Sequence, residues 1–297
     1  MQSYVGVLTR RSLLTVRKGG LPRLLVFGSK LTIPEHFSSL ANEMELVILG
    51  SGTSVPHPQR AAPSHWLETT AASLLLDCGP DSAHRMAEER LDWPNLDAIW
   101  ISHFHLDHVG GLATFLFGTK WAPQTHTRSK PLTIFGPAGL KVLFDKFDEA
   151  NDYKLMQQSF PILFQEVGPD ETFEIVPELQ AQTFATPHTR ESLALRLTDE
   201  HGKMILYTSD TGYADELGEF ARGVDLLVME CSFRRNKPMS THLELSDAMR
   251  IASIAEPRKV VLTHLYPEWD NVNLEFEAAR HWSGEVVAAK DGLRLDV

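Results

Sequence analysis

The segment that most constrains the fold of this chain is the hexapeptide His103-Phe-His-Leu-Asp-His108. It follows the apolar run 99–101 and precedes Val109-Gly-Gly, so it lies where a buried strand is expected to end. Imidazole and carboxylate groups are ligands that suit zinc and related first-row metals. No cysteine lies nearby, and an all-His/Asp set is typical of a catalytic site that keeps one position open for water. The fold must therefore bring further ligands to this strand end.

The rest of the sequence predicts an α/β fold. Four strand-like segments near 161–166, 172–176, 180–185 and 193–198 are joined by short turns, which predicts a meander or hairpins. Elsewhere strands and helices are interspersed, which predicts two mixed sheets flanked by helices. The other predicted strands are 45–50, 64–67, 72–76, 97–102, 131–135, 204–208, 226–230, 259–263, 285–288 and 293–296. The predicted helices are 81–90, 109–117, 140–147, 213–221, 244–255 and 273–282.

Charge and composition divide the chain at residue 44. Residues 1–43 carry six Lys or Arg and two acids, whereas the chain as a whole has a net charge of −11. We expect 1–43 to be a poorly ordered N-terminal extension, with a transit peptide or an upstream start as alternatives, and 44–297 to be the functional domain. No apolar run approaches the ~18–20 residues of a membrane span. The acidic body argues mildly against a protein that grips a phosphate backbone by charge.

Only two cysteines occur, Cys78 and Cys231, and they lie far apart in the sequence. They are expected to be buried thiols in a reducing compartment, which predicts a cytoplasmic protein.

Several polar residues follow or end predicted strands, and such positions commonly carry function. Asp77, His188, Asp210, Glu230 and His264 all lie at strand ends. We expect a first metal to be bound by His103, His105 and His188. A second metal is expected to be bound by Asp107, His108 and His264, and the carboxylate of Asp210 is expected to bridge the two. Two divalent ions roughly 3.5–4 Å apart can share a hydroxide, which is a nucleophile near neutral pH. The predicted cofactors are therefore two divalent ions, with Zn²⁺ expected and Mn²⁺ or Fe²⁺ as alternatives.

The order of these motifs resembles the metallo-β-lactamase superfamily. The resemblance rests on His103-x-His-x-Asp-His108 with Asp77 upstream and His188, Asp210 and His264 downstream, and it covers 44–297. It implies a four-layer αββα sandwich with the metals between the sheet edges.

Within the superfamily, the details resemble ribonuclease Z. Asp210 occupies a position where antibiotic-hydrolysing members commonly carry Cys, which disfavours a β-lactamase. His105 occupies a position where diiron oxidoreductases carry Glu, which disfavours that branch. Ser240-Thr-His242 is similar to a ribonuclease Z motif, and this resemblance implies that His242 protonates the leaving oxygen. Glu230 is our candidate for orienting that histidine. The predicted catalytic residues are therefore Asp107, His242 and Glu230, and the resemblance also implies a homodimer.

One part of the ribonuclease Z pattern is missing. Ribonuclease Z carries an arm that grips transfer RNA, inserted between the third and fourth motifs, and here only 21 residues separate His188 from Asp210. We therefore expect a phosphodiesterase that acts on a small molecule or an RNA end. A hydrolase of a carboxylic substrate, such as a lactone or thioester, is the alternative, and a non-catalytic scaffold is a third. Loop 50–60 offers backbone N–H groups and Arg60 to a phosphate.

Overall fold

The computed structural model describes residues 44–297, so the predicted extension 1–43 lies outside the described residues. Fourteen strands are present in the described part of the chain. In order, β1 to β14 are Glu45–Gly50, Ser64–Glu68, Ser73–Leu76, Ala98–Trp100, Leu132–Pro137, Ile162–Val167, Thr172–Val176, Leu179–Ala185, Leu193–Asp199, Met204–Tyr207, Leu226–Glu230, Lys259–Thr263, Glu285–Ala288 and Arg294–Asp296.

Seven α-helices connect or cover these strands within residues 44–297. In order, α1 to α7 are Ser82–Glu88, Leu106–Val109, Gly111–Trp121, Leu140–Glu149, Asp215–Phe220, Leu245–Ala255 and Leu274–Ala278. Short 3₁₀ turns occur at Trp93–Asn95, Pro123–Thr125 and Pro267–Trp269. None of the helices described is long and apolar enough to cross a membrane.

The strands form two seven-stranded sheets with the same internal plan. The orders are β14-β1-β2-β3-β4-β5-β6 and β13-β12-β11-β10-β9-β8-β7. In the first sheet β3 to β6 run parallel, and in the second β10 to β13 run parallel, whereas the remaining pairs are antiparallel. Parallel neighbours end at the same edge of a sheet, so the loops after β3 and β4, and those after β10, β11 and β12, are brought together within each sheet.

Three apolar layers hold the sandwich together. One lies between the sheets and includes Trp100 and Val228. A second lies between the first sheet and its helices α1, α3 and α4, and a third lies between the second sheet and α5, α6 and α7. β11 is buried along its whole length, as expected for a central parallel strand covered on both faces. The predicted αββα sandwich of two mixed sheets flanked by helices is confirmed.

Three local predictions differ from the structure. Helix formation begins at Leu106 rather than at 109, so Asp107 and His108 lie in a helical turn. Strand β5 was expected to end at residue 135 but continues through Pro137, which pairs with Val167 of β6 after the pairing with β4 has ended. Proline is tolerated there because its missing N–H is not needed for a hydrogen bond between the strands. The predicted meander begins one strand later, because β6 joins the first sheet and only β7 to β10 form the antiparallel run. Cys78 and Cys231 are buried free thiols, as predicted.

Candidate metal centre

The ends of the parallel strands carry the candidate metal ligands. The hexapeptide follows β4, Asp210 follows β10 and His264 follows β12, and Asp77, which is not a candidate ligand, follows β3. Asp77, Ser209 and His264 each have φ near +57°, the left-handed region that non-glycine residues seldom adopt. Such a conformation costs of order 1–3 kcal/mol per residue and persists where the surrounding structure enforces it. Here it turns the chain sharply at three strand ends that border one site.

The structure brings the predicted ligands of the first metal together. Nε2 of His188 lies 3.0 Å from Nδ1 of His105. Oδ2 of Asp210 lies 3.6 Å from Nε2 of His188 and 3.9 Å from Nε2 of His103. All four donor atoms therefore surround one point, with His105 on the solvent side and His103 and Asp210 buried.

The predicted ligands of the second metal form an adjacent group. Nε2 of His108 and Nε2 of His264 each lie 3.3 Å from Oδ1 of Asp210. Oδ2 of Asp107 lies 3.6 Å from Nε2 of His264 and 3.8 Å from Nε2 of His108. The two carboxylate oxygens of Asp210 thus face different sets of histidines, which is the arrangement needed for a bridging ligand.

Three of the imidazoles that face the cluster have their other nitrogen engaged by the protein. Nδ1 of His108 donates to Oδ2 of Asp77 at 2.7 Å, and Nδ1 of His188 donates to the carbonyl oxygen of Thr241 at 2.8 Å. Nδ1 of His264 lies 2.9 Å from Oγ of Ser232. These bonds select the tautomer in which the facing nitrogen is an unprotonated ligand, as is usual for metal-binding histidines.

The donor set fits a pair of metal ions. Nε2 of His103, His108 and His264 is buried and has no hydrogen-bond partner among residues 44–297. A buried polar atom left without a partner costs about 1–3 kcal/mol, which a bound cation would relieve. Ligands about 2.0–2.1 Å from a tetrahedral zinc ion lie roughly 3.3–3.4 Å from one another. The spacings of 3.0–3.9 Å between donor atoms are close to that value.

Electrostatics at His103, His188 and Asp210 favour the forms that bind cations. Burial lowers the pKa of His108, but Asp210 and Asp77 outweigh it and raise that pKa well above its ordinary value, so His108 would lose a proton on binding an ion. Burial, together with the neighbouring His108, holds the pKa of His103 well below its ordinary value. Burial also lowers the pKa of His188, in spite of nearby Asp210. Burial alone would raise the pKa of Asp210, but His108 and His264 hold it well below the usual range. The imidazoles of His103 and His188 are neutral and the carboxylate is ionised, as metal ligation requires.

A histidine and a glutamate border the metal ligands. Nδ1 of His242 donates to Oε1 of Glu230 at 2.8 Å, and both side chains are buried. A ring nitrogen of His242 also lies within 4.8 Å of the facing atoms of Asp210 and His264. Burial lowers the pKa of His242, but the hydrogen bond and charge of Glu230 outweigh it and raise that pKa above its ordinary value. This geometry suits an acid beside the cluster.

Comparison with known proteins identifies a family whose matched segment contains the whole candidate site. A family model described as the β-lactamase superfamily domain matches residues 73–265. The chain belongs to the metallo-β-lactamase superfamily. The matched segment begins at β3 and ends just after His264, so it spans every candidate ligand.

Relatives in this superfamily match along most of their length. Ribonuclease Z of Ignicoccus hospitalis is 26% identical over 82% of this chain and 95% of its own length. The probable metallo-hydrolase YhfI of Bacillus subtilis is 28% identical over 84% of this chain and 98% of its own. The chain is thus a hydrolase of this superfamily with a ribonuclease Z-like sequence.

Solved structures extend the comparison to the fold. The crystal structure of YhfI from Bacillus subtilis has a TM-score of 0.73 at 25% identity, covering 86% of this chain and all of YhfI. Human tRNase Z, short form, has a TM-score of 0.69 at 20% identity, covering 84% of this chain and 98% of that one. The metallo-β-lactamase fold is therefore shared along nearly the whole described chain.

Sequence reasoning did not identify the residues that support the ligands. Asp77 lies at a strand end, as predicted, and the structure adds its role as an acceptor for three residues, Ser102, His108 and Tyr207. Ser232 links Glu230 to His264 through its hydroxyl. No spacing signal marks such contacts, because the partners lie up to 130 residues apart. In loop 50–60, Arg60 pairs with Asp270 at 2.7 Å, so its cation is already engaged.

Proposed function

We propose that this chain is a dinuclear metal-dependent phosphodiesterase of ribonuclease Z-like type. His103, His105 and His188 would hold one ion, and Asp107, His108 and His264 would hold the second, with Asp210 between them. When bound, two divalent ions would lower the pKa of a water molecule to supply the nucleophile and would neutralise charge that develops on the phosphoryl oxygens.

The observation that carries the phosphodiester assignment is the His242–Glu230 pair beside the cluster. A phosphodiester with an alkoxide leaving group needs a proton at the departing oxygen, and a histidine is suited to donate it near neutral pH. Glu230 holds Nδ1–H of His242 at 2.8 Å and so leaves the other ring nitrogen to face the leaving group. Glu230 is itself fixed by the backbone N–H of Thr211 and Leu243. A thiolate leaving group would need no such acid.

The substrate we propose is a small phosphodiester or an RNA end. Relatives named ribonuclease Z support a nucleic-acid substrate, and a structural neighbour named yeast PDE1 shares the fold at a TM-score of 0.66. The interval between His188 and Asp210 holds β9, β10 and a tight turn, so no transfer-RNA arm is inserted there. Catalysis without that arm favours substrates that bind close to the metals.

We further propose Zn²⁺ as the ion, with Mn²⁺ and Fe²⁺ as alternatives, in a cytoplasmic homodimer. Histidine and carboxylate ligands suit all three metals, and the spacing of the donor atoms matches zinc–nitrogen bonds. A structural neighbour described as Zn²⁺-bound PqqB shares the fold at a TM-score of 0.67.

The test combines metal quantification with a substrate panel. We expect about two transition-metal ions per purified chain and hydrolysis of bis(p-nitrophenyl) phosphate in preference to a thioester or a lactone. Asp210→Ala and His105→Ala should lose metal and activity together. His126→Ala, at an exposed histidine outside the cluster, is the matched control and should retain both.

Two results would contradict the proposal in different ways. Protein that holds no transition metal after loading and desalting would remove the dinuclear centre altogether. Protein that holds two metals but turns over only the thioester or the lactone would keep the centre and support the alternative, a hydrolase of carboxylic substrates.

A further inference from the structure

A pocket of about 340 Å³ is lined in part by residues that neighbour His103, His105 and His188 in the sequence. Phe104, which lies between two of the candidate ligands in the hexapeptide, forms one wall, and its ring edge packs 3.5 Å from the position of a Cβ at Gly139. The other walls come from the ends of β5, β6, β8 and β9 and from residues next to them, and they are mostly apolar, namely Pro137, Ala138, Val167, Pro169, Ala185 and Leu193.

Two charged residues at this pocket have no partner in the described part of the chain. Arg190 and Glu191 line the pocket, two and three residues after His188, and neither makes a hydrogen bond or ion pair within residues 44–297. Most arginines of the described chain are paired with a carboxylate or a carbonyl oxygen. An unpaired cation and an unpaired acceptor beside an aromatic wall are a mixed polar and apolar set, which suits a heteroaromatic ligand with both donors and acceptors.

A second, larger cleft adjoins a ligand of the second metal and differs from this pocket in that its arginines are paired. It has a volume of about 820 Å³ and adjoins Leu106 and Asp107. Its arginines are already engaged, Arg60 by Asp270 and Arg85 by Glu89. A phosphodiester has two ester groups, so each side of the scissile phosphate needs room. The smaller pocket is at the lower end of the ~300–1,000 Å³ typical of ligand sites and has room for one nucleoside rather than a longer chain.

We propose that this pocket binds the nucleoside on one side of the scissile phosphodiester, with its base against Phe104 and Arg190 near the base edge or phosphate. This inference rests on the proposed phosphodiesterase function and makes Phe104 and Arg190 specificity-determining residues. Stacking on an aromatic side chain and an adjacent guanidinium both favour a base over a saturated group. An acyl chain would leave Arg190 and Glu191 without partners.

The test uses two phosphodiesters with the same leaving group. Thymidine 5′-(p-nitrophenyl phosphate) and methyl p-nitrophenyl phosphate both release p-nitrophenolate and differ only in nucleoside against methyl. We expect the wild-type kcat/KM to favour the thymidine ester by about tenfold or more. Phe104→Leu, which keeps an apolar side chain but removes the ring, should lower that ratio at least about fivefold, and Arg190→Ala should lower it as well.

A binding measurement supplies a second readout. Saturation-transfer NMR of free thymidine should show contact of the base with wild-type protein and lose that signal in Phe104→Leu. Phe117→Leu, at an exposed aromatic residue on α3, is the matched control and should change neither the ratio nor the signal. Arg190 is exposed, so Arg190→Ala keeps the fold and carries the test if Phe104→Leu does not.

The outcomes separate the two proposals. If neither phosphodiester is hydrolysed by metal-loaded protein, the phosphodiesterase function fails and the pocket assignment falls with it. If both are hydrolysed with a ratio that is the same in wild type, Phe104→Leu and Arg190→Ala, the phosphodiesterase stands and the pocket assignment is overturned. Loss of thioester hydrolysis alone in Phe104→Leu would assign the pocket to an acyl group and also overturn it.

Discussion

Asp77→Asn tests whether the metal centre depends on a residue that touches no metal. Asp77 is fully buried and accepts four hydrogen bonds. Its Oδ1 accepts from the backbone N–H of Ser102 at 2.7 Å, and its Oδ2 accepts from the hydroxyl of Ser102, Nδ1–H of His108 and the hydroxyl of Tyr207 at 2.7–2.8 Å. Asparagine replaces one of these acceptor oxygens with a donor.

The expected effects follow from this geometry. The backbone N–H of Ser102 cannot rotate, so the amide oxygen stays on it and the NH₂ group faces the other three contacts. Two hydroxyls can turn to accept, but His108 accepts only if its proton moves from Nδ1 to Nε2, the atom that faces Asp210. Otherwise one buried donor is left unpaired, which costs about 1–3 kcal/mol. With the lost charge, we expect unfolding free energy to fall by about 2–4 kcal/mol and zinc affinity to fall about 10–100-fold.

Denaturant unfolding and a competitive zinc titration against a chromophoric chelator measure the two effects separately. The matched control is Asp225→Asn, at a half-buried carboxylate that accepts from Met204 N–H at 2.9 Å at the opposite end of β10. The control should lose stability and keep its zinc affinity. Zinc affinity of Asp77→Asn within threefold of wild type, with stability lowered, would refute the reasoning, because the tautomer of His108 would then not depend on Asp77.

Three further predictions concern the acid and the metals. His242→Ala should keep its metal content and lose about 10²–10⁴-fold in kcat on alkyl phosphodiesters, with a much smaller loss on p-nitrophenyl esters; equal losses on both would remove the acid role. Glu230→Gln should move the alkaline limb of the pH–rate profile to lower pH, because Glu230 raises the pKa of His242 and so keeps it protonated to higher pH; an unmoved limb would contradict this. Chelation of bound metal should lower the Tm by roughly 5–10 °C, since a ligand at 100 times its Kd stabilises by about 2.7 kcal/mol; scanning calorimetry with and without chelator measures it, and an unchanged Tm would mean that the folded state binds no metal.

The layered fold was predictable because hydrophobic periodicity marks it. β11 and β12 are short apolar runs, and α6 buries Leu245, Ala248, Met249 and Ala252 on one helical face. Boundaries near the site were less predictable. The helix that begins at Leu106 was expected to begin at 109, because its first turn is polar and has no apolar stripe. That turn is fixed instead by hydrogen bonds from the backbone N–H of His108 to the carbonyl oxygen of His105 and from Nδ1 of His108 to Asp77.

The candidate ligands were predictable because parallel strands end at a common edge, so residues at the ends of β10 and β12 meet although they are far apart in sequence. The residues that hold these ligands in place by hydrogen bonds were not predictable. Tyr207 contributes its hydroxyl to Asp77 across the interface between the two sheets, and no local pattern distinguishes this tyrosine from an ordinary core residue. His65 likewise carries no local signal, although it supports no ligand: its ring lies edge-on to Tyr207 at 5.1 Å, neither ring nitrogen is bonded among residues 44–297, and burial, with His108 and His264, lowers its pKa to about 3.

The same distinction explains why reaction chemistry is easier to infer here than substrate choice. The ligands project from strand ends, and strand order in a sheet restricts where such ends can meet. Substrate choice depends on pockets, and the pocket at Phe104 is built from the ends of four strands and the residues next to them as well as the hexapeptide. Each of these segments alone is short and carries no distinguishing motif. A change in one of them, such as loss of the unpaired Arg190, would alter selectivity without changing any metal ligand. Proteins with the same ligand pattern are therefore expected to share the hydrolytic chemistry and to differ in substrate, which is the comparison that the Phe104 and Arg190 variants make within one chain.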